Sequence, residues 1–290
     1  MRDMGKSRVV RILALMLTLV FVVSSVTSSG VVYAEDTKES VVLGGDLTEK
    51  QEKKVLKIMG TNTKHIKRIS HKREVAELKK WLTMRYIGDI AVSSTYVKTI
   101  KNDSSKNKLQ LKTVNINYVT NDMYYNIMTT LGMQNVSVTI AAPEPVFGSC
   151  AILGLIDGYE NVSGKKISKS RKTLAFREMR LTVDLSKKYG RKKVKTFWRR
   201  MKMRAINSHL TEYNNCKAIV KVMASLSDLN LTSSEITEVT KIMVQMADKL
   251  DEDDLNTELE GYSISNKEFG KVIKGMVKTF KEDTRERFVD

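Results

Sequence analysis

Twelve residues, from Arg191 to Lys202, carry the strongest chemical signal in the chain. Arg191, Lys192, Lys193, Lys195, Arg199, Arg200 and Lys202 surround Val194, Phe197, Trp198 and Met201. The four apolar residues fall at i, i+3, i+4 and i+7, so they share one face of a helix and the cations flank it. Such a segment can capture anions by charge, while its apolar stripe either lies on a membrane surface or packs into a core. Both uses of the stripe fit the spacing, and core packing is the commoner one. The charges need a separate explanation. Residues 164–223 hold 19 Lys and Arg against 3 Asp and Glu, whereas residues 35–163 hold 18 against 14 and residues 224–290 hold 9 against 15. The formal net charge of +17 therefore sits almost entirely in one band, between a near-neutral front half and an acidic tail.

A second candidate is the segment from Ala141 to Ser149, which holds both prolines of the chain, Pro143 and Pro145. Ligands of open α/β sheets collect beyond the carboxyl ends of strands, and free N–H groups of Gly148, Ser149 and Cys150 at a helix start would favour an anion. The polar lining expected of this loop site is Ser94, Asn117, Thr120, Glu144 and Ser149. The plainer reading, which the sequence favours, is that the prolines stiffen a connection into a buried helix. Ile152, Leu153, Leu155 and Ile156 make that helix apolar nearly all round.

Other motifs fail on their chemistry. Gly158 to Lys165 has one residue too many for a phosphate-binding loop, and Lys166 stands where a magnesium-binding hydroxyl belongs. Ser105 and Lys108 have Ser-x-x-Lys spacing but no following helix to present a nucleophile. The run Asp251-Glu252-Asp253-Asp254 lacks the glycine and oxygen ligand of a calcium loop, and reads as an acidic patch facing solvent or basic residues. His65, His71 and His209 lack metal-site spacing and company. The sequence thus assigns no catalytic residue, metal or cofactor. Should the chain be a wall-acting enzyme, Glu144, Asp122 and Ser149 are the first residues to change.

The elements that must position these residues follow from periodicity and caps. Val41 to Leu43 and His65 to Ile69 are expected strands around a helix that opens at a Thr48/Gln51 capping box and closes at Gly60. A helix is expected from about Lys72 to Trp81, with Val75, Leu78 and Leu82 on one stripe. Ala91 to Ile100 and Leu109 to Asn117 look like a hairpin through the turn-rich Asn102 to Ser105. A second strand-helix-strand then runs from Val119-Thr120 through Leu131-Gly132 to the strand Val136 to Ala141. Its start and stop signals lie 72 residues after those of the first, which suggests two related βαβ units. Beyond residue 163 only helices are expected: Ser168 to Tyr189, about Arg191 to Leu226, one opening at a Thr232/Glu235 box, and one opening at Ser265. The fold class is α+β or α/β in the front half (35–163), with an all-helical region (164–290), basic then acidic.

At the start of the chain, Arg2, Lys6, Arg8 and Arg11 precede an apolar run from Ile12 to Val26 and a Val32-Tyr33-Ala34 exit. These are the three parts of an export signal, with cleavage expected after Ala34. Two cysteines, Cys150 and Cys216, exclude a disulfide scaffold, and their apolar helical settings suit free thiols.

Four blocks carry a family resemblance: Val41 to Thr48; Ala91 to Val97; Asn115 to Thr120 with Met123-Tyr124; and Val138 to Pro143 with Gly148. In this order they resemble the YpuA-like secreted proteins of Gram-positive bacteria, a family of unknown function. The resemblance covers about residues 41–164 and fades across the helices; the basic band departs from it. It implies export and an extracellular or envelope role, and brings no catalytic residues. The expected function is non-enzymatic binding of anionic envelope polymers or anionic lipid. The alternatives are a cell-wall-acting enzyme, and a membrane-surface or nucleic-acid binder working through the basic helix.

Overall fold

The computed structural model describes residues 38–101, 107–251 and 254, apart from the Arg85 side chain. The expected export signal, the 102–105 linker, Glu252, Asp253 and the helix expected from Ser265 lie outside these residues. Among the described residues the fold is α+β: a five-stranded mixed sheet followed by helices.

The front half builds two crossovers. β1 (Glu39–Gly44) leads through α1 (Glu49–Met59) to β2 (Ile66–Ile69), which pairs parallel to it. The Thr48 hydroxyl accepts the Gln51 N–H in a complete capping box, and Gly60 closes α1 at φ 69, a left-handed conformation that glycine adopts without strain. α2 (His71–Leu78) follows, ending three residues before the expected Trp81. β3 (Ser94–Thr99) comes next, and then β4 (Leu109–Ile116), α3 (Asn121–Thr130) and β5 (Val136–Val146), where β4 and β5 are again parallel. Both expected βαβ units are present.

The expected hairpin is not. The strand order is β2-β1-β3-β5-β4, with β5 inserted antiparallel to β3 between the two strands that were to pair. Burial explains the choice. Val136, Val138, Ile140 and Ala141 of β5 are all buried and need neighbours on both sides, whereas β4 exposes Gln110 and Lys112 and tolerates an edge. β5 also runs on through Pro143 and Pro145 to Val146, so the expected loop is largely strand.

Helix α4 (Cys150–Ser163) packs on one face of the sheet. A Cβ at Gly154 would lie 2.8 Å from the Thr95 hydroxyl oxygen, and one at Gly158 2.7 Å from a Val97 methyl. These two glycines let the helix approach the strands closely. α1 covers the other face, bringing Val55 and Met59 against Val41, Leu43, Tyr96 and Ala141.

Four more helices complete the described fold: α5 (Lys169–Tyr189), α6 (Arg191–Asn207), α7 (Tyr213–Leu226) and α8 (Ser233–Lys249). The expected single helix from Arg191 to Leu226 is broken at 208–212. His209 takes a positive φ of 41, and the Glu212 carboxylate caps a new start by accepting the Asn214 and Asn215 N–H groups. Helix α5 links two cores. Its Ala175, Phe176, Met179 and Val183 join the sheet-side cluster, while Leu174 and Leu185 join the cluster of α6, α7 and α8. Cys150 lies in the first cluster and Cys216 in the second, and both are free thiols.

Candidate functional site

The apolar stripe of α6 is core. Val194, Phe197, Trp198 and Met201 are each 0% exposed and pack against α7 and α8 residues such as Val220 and Met243. In this fold the helix has no free apolar face to lay on a bilayer. Among the described residues no helix is long and apolar enough to cross a membrane.

The cations of α6 divide along its length. Arg191, Lys192 and Lys193 face solvent where α5 ends, Gly190 turns the chain and α6 begins. Lys187 and Lys188, at the end of α5, are exposed at the same corner. Lys187 Nζ lies 4.2 Å above the Tyr86 ring, Lys188 binds Glu235 at 2.9 Å and Lys193 binds Asp228 at 2.9 Å. Arg191 and Lys192 make no ion pair with another described residue. The corner is held in place by Tyr189, whose hydroxyl lies 2.7 Å from both the Asn230 carbonyl and Glu235. Burial would raise Glu235, but the Thr232 N–H, Lys188 and Tyr189 outweigh it and bring its pKa to about 2, so it stays ionised.

Further along α6 the cations turn inward. Lys195 Nζ and Arg199 Nη2 lie 2.8 and 3.2 Å from the same oxygen of Asp122, and Arg200 donates to the Leu226 carbonyl at 2.8 Å. Lys202 is wholly buried. Its ammonium donates to the Asn126 carbonyl at 2.7 Å and the Thr130 hydroxyl at 2.8 Å, and forms an ion pair with Glu178 at 2.9 Å. Thr130 in turn donates to the other Glu178 oxygen at 2.5 Å. Burial raises the Glu178 pKa and lowers that of Lys202, and their mutual attraction opposes both shifts. Arg199 and Lys202 are therefore fastenings between α6 and the front half, and Lys195 contributes to the same contact. Of the seven α6 cations expected to bind an anion, Arg191, Lys192 and Lys193 are the ones most exposed to solvent.

Other cations of the band also fasten it to acids on neighbouring elements. Lys166 and Lys172 hold Glu160, at 2.8 and 2.6 Å. Arg171 grips Asp254 with both terminal nitrogens, at 3.1 and 2.8 Å. The expected acidic patch thus faces a basic residue at Asp254. Among the described residues no group of acids, histidines and cysteines could hold a metal.

The five residues expected to line the loop site do not converge. Ser94 is buried and accepts the Gly44 N–H at 3.0 Å; Thr120 caps α3 through the Met123 N–H; Asn117 and Glu144 are exposed. Ser149 is buried behind Glu74, whose carboxyl lies 2.6 Å from the serine oxygen, and it also bonds the Ile87 carbonyl. A serine has one proton to donate. With Glu74 protonated, the acid donates to Ser149 and Ser149 donates to Ile87, so every partner is satisfied. Burial raises the Glu74 pKa in agreement, against the opposing hydrogen bonds of Ser149 and His71. Glu74 thus holds the Ser149 hydroxyl, one of the expected lining groups, and the next N–H along the helix start, that of Ala151, is taken by Ser93 at 3.0 Å. Nor is this a nucleophile site, because Glu74 stands between His71, 3.4 Å away, and Ser149. Glu74 sits four residues before Leu78, on the buried face of α2, and that spacing was the one sequence signal for it.

The chain is thus an α+β protein whose mixed sheet, built from two crossovers, is followed by helices that carry most of its positive charge. The model of the family described as "Protein of unknown function (DUF1002)" matches residues 43–262, and the chain belongs to that family. It is 31% identical over 196 residues to a Bacillus subtilis (strain 168) protein named "Uncharacterized protein YpuA". That match covers 67% of this chain and 66% of the relative, just under two thirds of its length. The resemblance seen in the strand blocks is therefore a family relationship. No solved structure matches this chain.

Proposed function

We propose that this protein is exported and acts without catalysis, holding an anionic polymer of the cell envelope against the corner between α5 and α6. The observation that supports this best is the clustering of Lys187, Lys188, Arg191, Lys192 and Lys193 on the solvent side, three of them (Lys187, Arg191 and Lys192) without an ion pair to a described residue. Such a cluster attracts closely spaced phosphates or carboxylates by charge alone, without a shaped pocket. Export is inferred from the charged, apolar and small-residue segments of residues 1–34. The enzyme alternative draws no support from Ser149, Asp122 or Glu144, since they are respectively buried behind an acid, ion-paired to two cations and exposed on β5. The membrane-surface alternative would need the apolar stripe that the core has taken.

Mass spectrometry of the secreted chain should find Glu35 at its start; a mature protein retaining residues 1–34 would overturn export by cleavage. For binding, the chain from Glu35 is titrated with poly(glycerol phosphate) and with polyphosphate over a range of salt. Affinity should fall steeply with salt, and the Arg191→Glu/Lys192→Glu double variant should lower the salt slope by about two, roughly one for each phosphate no longer neutralised. Absence of binding at low salt, or a slope unchanged by the double variant, would overturn the reading. Stronger binding to single-stranded DNA than to either polymer would replace the envelope polymer with nucleic acid.

A further inference from the structure

Charge at the α5–α6 corner cannot tell one phosphate polymer from another, since every such polymer offers it the same anion. The neighbouring turn between α7 and α8 can. α7 closes without a glycine: the Asp228 N–H donates to the Ser225 carbonyl at 3.0 Å and the Leu229 N–H to the Ala224 carbonyl at 2.9 Å. Asp228 takes a φ of 61 there, a left-handed conformation that aspartate adopts more readily than most residues. Thr232 caps α8 only a few residues later. Between the second half of α7 and the start of α8, this tight turn leaves a recess of about 290 Å³.

Leu229, Leu231 and Ile236 supply the apolar lining of the recess. Its polar lining is Lys221 and Ser225, at i and i+4 on α7, with Asp228 and Asn230, and all four are exposed. No hydrogen bond or ion pair joins the side chain of Lys221, Ser225 or Asn230 to another described residue. Asp228 gives one carboxylate oxygen to Lys193 at 2.9 Å, and its other oxygen has no donor among the described residues. Lys193 also reaches the Asp228 carbonyl at 3.3 Å, and the Tyr189 hydroxyl lies 2.7 Å from the Asn230 carbonyl, so the recess adjoins the corner. Its chemistry does not suit phosphate. A phosphate oxygen accepts hydrogen bonds but is repelled by the Asp228 carboxylate. A hydroxyl group gives its proton to that carboxylate and takes one from Lys221 or Asn230, while the carbons that bear it rest on the apolar lining. The volume, at the small end for ligand sites, holds one polyol or sugar unit.

We propose that the recess between α7 and α8 seats a hydroxylated unit of the polymer, a polyol or sugar, next to the phosphates held by the α5–α6 corner. The inference rests on the polymer reading of that corner and gives it a ligand class, a polyol- or sugar-bearing phosphate chain as opposed to a bare one.

The test titrates the chain from Glu35 with three probes matched in phosphate number: polyphosphate, poly(glycerol phosphate) and glucosylated poly(glycerol phosphate). Ser225→Ala/Asn230→Ala removes two exposed polar groups and leaves the Asn230 carbonyl to Tyr189. It should weaken a hydroxylated polymer about tenfold, as the loss of two hydrogen bonds implies, and leave polyphosphate within about twofold. A loss seen already with the unsubstituted polymer assigns the recess to the backbone polyol; a loss confined to the glucosylated one assigns it to the sugar. Asp228→Asn keeps a residue that tolerates the left-handed turn, removes the repelling charge and frees Lys193. Polyphosphate should then bind more tightly, and any preference for the hydroxylated polymers should shrink. Arg191→Glu/Lys192→Glu should instead weaken all three probes alike. The proposal fails if Ser225→Ala/Asn230→Ala leaves both hydroxylated polymers unaffected, or if it weakens polyphosphate by the same factor. If none of the three binds at low salt, the reading of the corner fails by itself, and glycerol and glucose alone then probe the recess. Chemical-shift changes at Ser225 and Asn230 with either would uphold it, and their absence with both would overturn it.

Discussion

The two ends of α6 carry the same kinds of residue to opposite purposes. Arg191, Lys192 and Lys193 stand in water at the corner with α5, while Arg199 and Lys202, within the next few turns, are 5% and 0% exposed. The difference lies in what faces them. Lys195, Arg199 and Lys202 recur at i, i+4 and i+7 on one face, and across from them α3 presents Asp122, Asn126 and Thr130 at i, i+4 and i+8. Long cationic side chains bridge the two helices, and Glu178 of α5 completes the contact. Counting charge along the sequence overstates the exposed positive charge, because much of the excess fastens the helices to acids elsewhere in the chain.

The largest effect is therefore expected at the buried end. Lys202→Ala leaves Glu178, 1% exposed, without its cation and should cost about 3–5 kcal/mol in urea unfolding. Replacing both partners, Lys202→Met with Glu178→Leu, should cost clearly less than the single change, since no uncompensated charge remains. If Lys202→Ala costs under about 1 kcal/mol, as surface changes do, the two ends of α6 are not different in kind.

Much of this is legible in the sequence. The capping boxes at Thr48 and Thr232, the glycine stop at Gly60 and the core stripe of α6 are local features, and local chemistry decides them. The strand order is not, because pairing β3 with β5 instead of β4 depends on which strand can be buried on both sides. The break at His209 escapes notice because no proline or glycine marks it. Of the candidate site, the exposed cations of α6 can be named from sequence but not separated from the buried ones. The separation needs the i, i+4, i+7 set on α6 to be matched with the Asp122-Asn126-Thr130 set on α3, which lies 70 or so residues earlier. The partner of Ser149 is hidden for a related reason: Glu74 reaches it from a helix 75 positions away.

Two acids sharpen the contrast between the halves through pH. Glu74 in the sheet half has a raised pKa, so the folded state holds its proton more tightly than the unfolded chain. Its contribution is present at acid pH and is lost as pH rises above the ordinary glutamate range. Glu235 at the helical corner has a pKa lowered to about 2, so its contribution is present at neutral pH and is lost as pH falls toward that value. Glu74→Gln keeps the neutral hydrogen-bond pattern with Ser149 and should flatten the decline in stability above the glutamate range. Glu235→Gln should remove part of the acid-side loss instead. Melting curves across pH for both variants check the assignment, and identical slopes for the two would contradict it.

The smallest effect on the fold is expected at the exposed end of α6, where the proposed polymer contact lies. Arg191 and Lys192 touch solvent and pair with no described acid, so Arg191→Glu/Lys192→Glu should shift unfolding by no more than about 0.5 kcal/mol. The reversed charges fall in the first turn of α6, where the helix dipole favours acids, so the variant should be no less stable on that account. Any loss of polymer binding in this variant then reports charge at the surface and not damage to the core. A fall in stability comparable to that of Lys202→Ala would show that the corner is built into the fold as firmly as the buried end, and the exposed cations would lose their claim to be a binding surface.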